Sequence, residues 1–192
     1  MTAEHDPILL NFPDSFETER LLVRAVRPGD GQAIYEAVAD SLEHLRAWMP
    51  WALPDPAPKD SEIYARQAAV RWLRREELNF MVIRRADGLL AGQCGLHHIY
   101  WDVPCFEMGY WLRANCEGQG YMTEAVRGLT AFCFDHLSAA RIEIRMDTLN
   151  TRSRLVAERA GYTREGHLHR DRRGTNGALA DTYLYAKLRD VE

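Results

Sequence analysis

Two glycines one residue apart, Gly118 and Gly120, stand where an apolar run gives way to an amphipathic one. Phe106-Glu107-Met108-Gly109-Tyr110-Trp111-Leu112 reads as a strand. Tyr121, Ala125, Leu129, Phe132, Cys133 and Leu137 return at three- and four-residue steps, which predicts a helix. Strand, glycine turn and helix in that order aim free backbone N–H groups and the positive end of a helix dipole at one point, which suits a phosphate. Glycine lets a ligand approach the backbone closely. On the glycines alone two readings stay open, a tight turn without a ligand or an anion site. A dinucleotide Gly-x-Gly-x-x-Gly is excluded, because Thr123 takes the third glycine's place, and a P-loop is excluded because no Gly-Lys-Ser/Thr follows. An anion held here would be a handle and not the reacting group.

The elements that must position this turn can be read in order. Residues 1–15, with Pro7 and Pro13, predict a loose lead-in. Arg20–Val26 alternates as a strand and Pro28-Gly29-Asp30 ends it. Ala33, Ile34, Ala37 and Val38 mark a helix, and Ser41 to Trp48 a second, short one. The proline-rich run from Pro50 to Pro58 excludes regular helix and central strand. Asp60 or Ser61 is the expected cap of a helix through Tyr64, Ala68 and Trp72. Asn79–Arg84 and Leu89–Tyr100 flank Asp87-Gly88 as a hairpin. After the central helix, Arg141–Asp147 alternates as a strand, Asn150 can cap a helix that Gly161 ends, and Tyr162–His169 and Leu179–Leu188 close the chain as strands around a polar loop at 170–177. The pattern argues an α+β class with a mixed sheet.

Bulk properties narrow the class. The chain has 192 residues, 46% hydrophobic and 27% charged, with net charge −4, which fits one soluble domain spanning 1–192. There is no basic footprint for nucleic acid, no apolar run of membrane-spanning length and no secretory signal in the polar N-terminus. Cys94, Cys105, Cys116 and Cys133 stand far apart, as scattered reduced thiols of a cytoplasmic protein would.

Gly-Gln-Gly-Tyr-Met-Thr-Glu-Ala, residues 118–125, resembles the coenzyme A loop of the GNAT N-acetyltransferases, in the RimJ/RimL-like branch that modifies ribosomal-protein N-termini. Phe16–Arg24 resembles that branch's opening strand, Glu107–Leu112 its fourth strand, and Asn150-Thr151-Arg152-Ser153 running to Gly161-Tyr162 its Asn-x-x-Ser helix. The resemblance covers about residues 16–188 in order. It implies a GNAT-like mixed, mostly antiparallel sheet whose fourth and fifth strands start parallel and splay apart. It also implies acetyl-CoA as acyl donor, an acceptor amine such as a ribosomal-protein N-terminus, and a homodimer as the assembly to expect. The phosphates would meet Gly118, Gln119, Gly120, Tyr121, Met122 and Thr123. The pantetheine arm would pair with the backbone near Trp111 and Leu112 and bond to Asn150. In the family's general loop the position of Glu117 is Gln or Arg, and that of Met122 is Gly or Ala. A carboxylate at Glu117 would repel a pyrophosphate unless it points to solvent.

The same resemblance frames the chemistry. Glu107 lies on the strand that would carry the thioester. It is the expected base or amine-orienting group, with a raised pKa among aromatics; the plainer alternative is an ordinary ion-pair partner. A bulge in that strand, which the family has, would change the face it points to. His97 and His98 are rivals as acceptor contacts, and in a regular strand adjacent histidines face opposite ways. Ser153 is the expected acid or thiol-side donor, the alternative being that Asn150 and Ser153 only cap a helix. Trp48 and Trp51 are either core or the wall of an acceptor pocket. Neither Cys94, His97, His98 and Cys105 nor the pair His167 and His169 has a usual zinc spacing, so no metal is expected, and no cysteine sits in a nucleophile's setting. An acyl-CoA-binding module without turnover and a small-molecule acetyltransferase are the alternatives to an N-terminal acetyltransferase.

Overall fold

The computed structural model describes residues 6–189. Eight strands are β1 (Ser15–Glu17), β2 (Leu21–Ala25), β3 (Leu78–Arg84), β4 (Leu90–Tyr100), β5 (Cys105–Leu112), β6 (Arg141–Asp147), β7 (Thr163–Arg173) and β8 (Leu179–Leu188). Five α-helices are α1 (Gly31–Ala39), α2 (Leu42–Arg46), α3 (Pro58–Leu73), α4 (Tyr121–His136) and α5 (Thr151–Arg159). The strands form one sheet in the order β1-β2-β3-β4-β5-β6-β8-β7. Every neighbouring pair is antiparallel except β5 and β6.

Two cores hold the layers together. On one face α4 buries Tyr121, Met122, Ala125, Val126, Leu129, Phe132 and Cys133 against Phe80, Phe106, Met108 and Ile142. Side chains three and four apart lie on one side of a helix, so this spacing forces that face inward. On the other face Ile34, Ala37 and Val38 of α1 and Ala65 and Ala68 of α3 pack with Met81, Leu90 and Trp111. Alternation along β5 therefore holds, with Phe106 and Met108 toward α4 and Trp111 toward α1 and α3.

The central feature is how β5 and β6 part. They pair in parallel only at Cys105↔Arg141, Phe106↔Ile142 and Glu107↔Glu143. From Met108 onward the edge of β5 that faces β6 has no pairing with it, while its other edge stays in register with β4 as far as Leu112↔Gly92. The splay implied by the sequence is thus present.

Several boundaries differ from the sequence reading. The lead-in is not wholly loose: Pro7–Leu9 make a 3-10 turn capped by Asp6, Ser15 opens a strand, and Phe12 meets Trp72 and Phe132 edge-on. Its first five residues lie outside the described ones. Helix α3 starts at Pro58, two residues before the expected cap, because proline is preorganised for the first helical position. Strand β7 continues to Arg173 through residues assigned to a loop. The bulge expected in β5 lies instead in its neighbour. His97 pairs with Glu107 and Tyr100 with Cys105, so β4 carries an extra residue between them, and His98 there has a left-handed φ of 47°.

Candidate active site

A cleft of about 1360 Å³ opens where β5 and β6 separate. It gathers eight of the residues singled out by sequence: Trp48, Trp51, His97, His98, Glu107, Trp111, Asn150 and Ser153. Leu112 and Gly118 to Thr123 do not line it. They follow from the end of β5 through a 3-10 turn at Ala114–Cys116.

Glu107 is the electrostatic centre of the cleft. His97 Nε2 stands 3.1 Å from its Oε1, and His98 Nδ1 2.9 Å from its Oε2. Regular alternation would send one of these rings away, contrary to this contact; the bulge and the left-handed backbone at His98 turn both toward the same carboxylate. Arg145 of β6 adds its Nε at 3.6 Å from Oε2. Burial pushes the Glu107 carboxyl up, but the hydrogen bonds and charges of the two histidines outweigh it, and the pKa falls to about 2. The expectation of a raised pKa is therefore reversed. Such a carboxylate is a fixed anion and a poor proton acceptor near neutral pH. The His97 ring lies against Gly109, where an added Cβ would come within 2.9 Å of Cε1.

Tyr110 of β5 and Ser153 of α5 also line the cleft. Ser153 Oγ donates to the Tyr110 hydroxyl at 3.1 Å, and that hydroxyl donates to the Ser153 carbonyl at 3.0 Å. Burial pushes the Tyr110 phenol well above its ordinary value, so it stays protonated. Asn150 Oδ1 accepts the Ser153 N–H at 3.0 Å and caps α5, which leaves its NH₂ end to meet a ligand. Tyr110 was not among the sequence candidates, because an aromatic in an apolar strand reads as core.

The glycine turn has the geometry of an anion site. Gly118 and Gly120 have φ of 72° and 80°, and Gly120 is the N-cap of α4 with no side chain capping the helix. The first intrahelical bond runs from Glu124 N–H to the Gly120 carbonyl, so the amides of Tyr121, Met122 and Thr123 face outward. A Cβ on Gly118 would meet nothing within 4 Å, so the space over the turn is open. Arg20 clamps the turn: Nη1 donates to the Gln119 carbonyl at 3.0 Å and Nε to Glu124 at 2.7 Å. Glu117 does not simply point to solvent. Its carboxylate takes Arg152 Nη1 at 2.6 Å and His44 Nε2 at 3.0 Å, so its charge is largely compensated. The clamp could not be read from spacing, because Arg20 and Glu124 lie 104 residues apart.

The acceptor side is aromatic. Trp48 is half-buried; Trp51 is 51% exposed, with its ring 6.1 Å from that of Trp111. Both line the cleft, which favours the pocket-wall reading over core. Beneath them Gln93 Oε1 accepts from Trp111 Nε1 and the Tyr64 hydroxyl, each at 3.2 Å. Gln93 was also missed, although one amide in the apolar run Leu89–Leu96 was a usable signal. Cys94 borders the cleft, but burial raises its thiol to about 12, so it makes no thiolate near neutral pH.

Residues 20–163 match the family described as the acetyltransferase (GNAT) domain. Over 174 residues the chain is 29% identical to a Bacillus subtilis protein named "Putative ribosomal N-acetyltransferase YdaF", covering 89% of this chain and 92% of that one. It is 27% identical over 175 residues to the ribosomal-protein-serine acetyltransferase of Escherichia coli, covering 91% and 96% respectively. Among solved structures, the microcin C7 self-immunity acetyltransferase MccE, in complex with acetyl-CoA and AMP, superposes with a TM-score of 0.86. That match covers 93% of this chain and 98% of that chain at 22% identity, a likeness of fold.

Proposed function

The chain belongs to the GNAT acetyltransferase family, and we propose that it transfers an acetyl group from acetyl-CoA directly to a primary amine, with a ribosomal-type protein N-terminus as acceptor. One observation carries this reading: the gap between β5 and β6 opens into a single cleft lined by both a fixed anion and a protonated phenol. The unpaired edge of β5 suits an extended, amide-rich arm, which can add to it as a strand would. The open amides at Gly118–Thr123 suit the donor's pyrophosphate.

In this reading the incoming ammonium is held by Glu107 and gives its proton to His97. His97 is the less exposed of the two rings, at 35% against 68% for His98, and it lies beside the same carboxylate that would hold the ammonium. Tyr110, backed by Ser153, protonates the departing thiolate and recovers the proton that the nitrogen loses as the amide forms. Direct attack on the thioester is favoured over a covalent acetyl-enzyme, since Cys94 stays a thiol. The names of the two relatives and the exposed aromatic rim support a protein acceptor over a small one. Among the described residues no helix is long and apolar enough to cross a membrane.

The test is a thermal melt with acetyl-CoA, followed by acetylation assays on N-terminal peptides and on small amines. Ligand at about 100 times its Kd adds about 2.7 kcal/mol. For a domain of this size that raises Tm by about 5–10 °C. Absence of a shift refutes the donor. A shift with transfer only to small amines refutes the acceptor.

A further inference from the structure

We propose that His167, His169 and Asp181 form a binding site for one divalent transition-metal ion of the zinc class, on the β7–β8 hairpin and apart from the acetyl-transfer cleft. Along the chain the two histidines are a bare His-x-His pair, which matches no usual zinc spacing. The fold supplies it. Leu168 pairs with Thr182 and Arg172 with Ala180, so β7 places three residues opposite Asp181 alone. Within that bulge Arg170 takes a left-handed φ of 53°, and its N–H donates to Asp181 Oδ1 at 2.9 Å. The other oxygen, Oδ2, is thereby aimed at both rings, 2.8 Å from His167 Nε2 and 2.9 Å from His169 Nδ1. Tyr183 packs edge-on against His167 at 5.0 Å and sets its ring.

Three features make this a site and not a chance contact. The three ligand atoms all lie within 4.8 Å of one another. Two donors on one zinc, each at about 2.0–2.1 Å, stand about 2.9–3.4 Å apart, and the two nitrogen–oxygen separations, 2.8 and 2.9 Å, already lie close to that span. The Arg170 amide is an outer partner that fixes the carboxylate, as outer partners do at established metal centres. Imidazole and carboxylate together suit zinc, nickel or cobalt over magnesium or calcium, and three protein ligands leave positions for water. The cleft's own cluster, His97, His98 and Glu107, has the same residue types but a guanidinium 3.6 Å from its carboxylate, which opposes a cation.

The experiment titrates tag-free, chelator-stripped full-length protein with zinc chloride in a calorimeter and repeats the titration with cobalt chloride, read by visible absorption. The wild type binds one ion. His169→Ala abolishes saturable binding and the cobalt bands, Asp181→Asn weakens binding, and His98→Ala leaves it unchanged. His169 is 73% exposed, so its replacement leaves the metal-free melting temperature in place. No binding by the wild type overturns the proposal. So does binding that survives His169→Ala, or that is lost with His98→Ala.

Discussion

Replacing Glu107 with glutamine keeps the shape of the side chain and removes its charge. The structure says what that charge contributes. The carboxyl titrates at about 2 instead of its ordinary 4.5. At 1.36 kcal/mol per unit the difference is about 3 kcal/mol of preference for the anion. An arriving ammonium would be helped by the same fixed charge, which already has His97, His98 and Arg145 beside it. If that help is present in the transition state, Glu107→Gln lowers kcat/KM by roughly 100-fold. The assay is steady-state acetylation of an N-terminal peptide, followed by thiol release, from pH 5.5 to 9. A carboxyl held at about 2 does not titrate anywhere in this range, so the loss in Glu107→Gln is the same at both ends of it. A carboxyl that binds its proton more weakly when folded contributes stability above its unfolded value. That contribution is lost as pH falls toward about 2. The difference in Tm between wild type and Glu107→Gln therefore narrows from about pH 5 to pH 2. Two results refute the reasoning: a variant within threefold of wild type, or a loss that disappears toward pH 5.5, as it would if the carboxyl took up its proton there.

Tyr110→Phe removes the buried proton donor and lowers kcat by at least tenfold with KM for acetyl-CoA little changed, whereas Ser153→Ala, which leaves the phenol, has a smaller effect; pre-steady-state thiol release separates the two. Arg152→Ala uncovers the Glu117 carboxylate beside the glycine turn and weakens acetyl-CoA several-fold, more at low salt than at high, and adding Glu117→Gln restores the affinity measured by calorimetry. Gly120→Ala forces a Cβ onto a left-handed backbone at a cost of about 1–2 kcal/mol, seen as a Tm lower by about 2–8 °C in the ligand-free protein.

The fold was legible in the sequence where one period dominated. Helix α4 and strands β5, β6 and β8 follow from apolar spacing, because each presents one face to a continuous core. The glycine turn was legible because glycine at two nearby positions has few other reasons. Strand β1 was not separated from β2, since the resemblance ran one strand through Phe16–Arg24 and three residues, Ser15–Glu17, are too few for a period of their own. The extension of β7 to Arg173 was missed because a bulged edge carrying Arg170, Asp171, Arg172 and Arg173 has the composition of a loop. In the site, residues acting through a single strand or turn could be placed, such as Glu107, Asn150 and Gly118. Partnerships across the chain could not. Neither Arg20 with Glu124 nor Arg152 with Glu117 leaves any trace in local pattern.

The expectation of a raised pKa at Glu107 fails for one physical reason. A regular strand would have left the carboxylate with at most one histidine, among aromatics, and burial would have raised its pKa. One inserted residue in β4 changes the sign. It puts His98 in the left-handed region, brings both imidazoles within hydrogen-bond reach, and converts a candidate base into a fixed anion. The backbone strain at a non-glycine residue is of order 1–3 kcal/mol. It is comparable to the electrostatic preference it creates, so the bulge is not a free by-product of folding. At Arg170 a left-handed residue in a bulge likewise turns an amide toward Asp181, but His167 and His169, two residues apart, share a face by alternation alone. At Glu107 it is the break in alternation that gathers charge, because adjacent histidines in a regular strand would lie on its two faces.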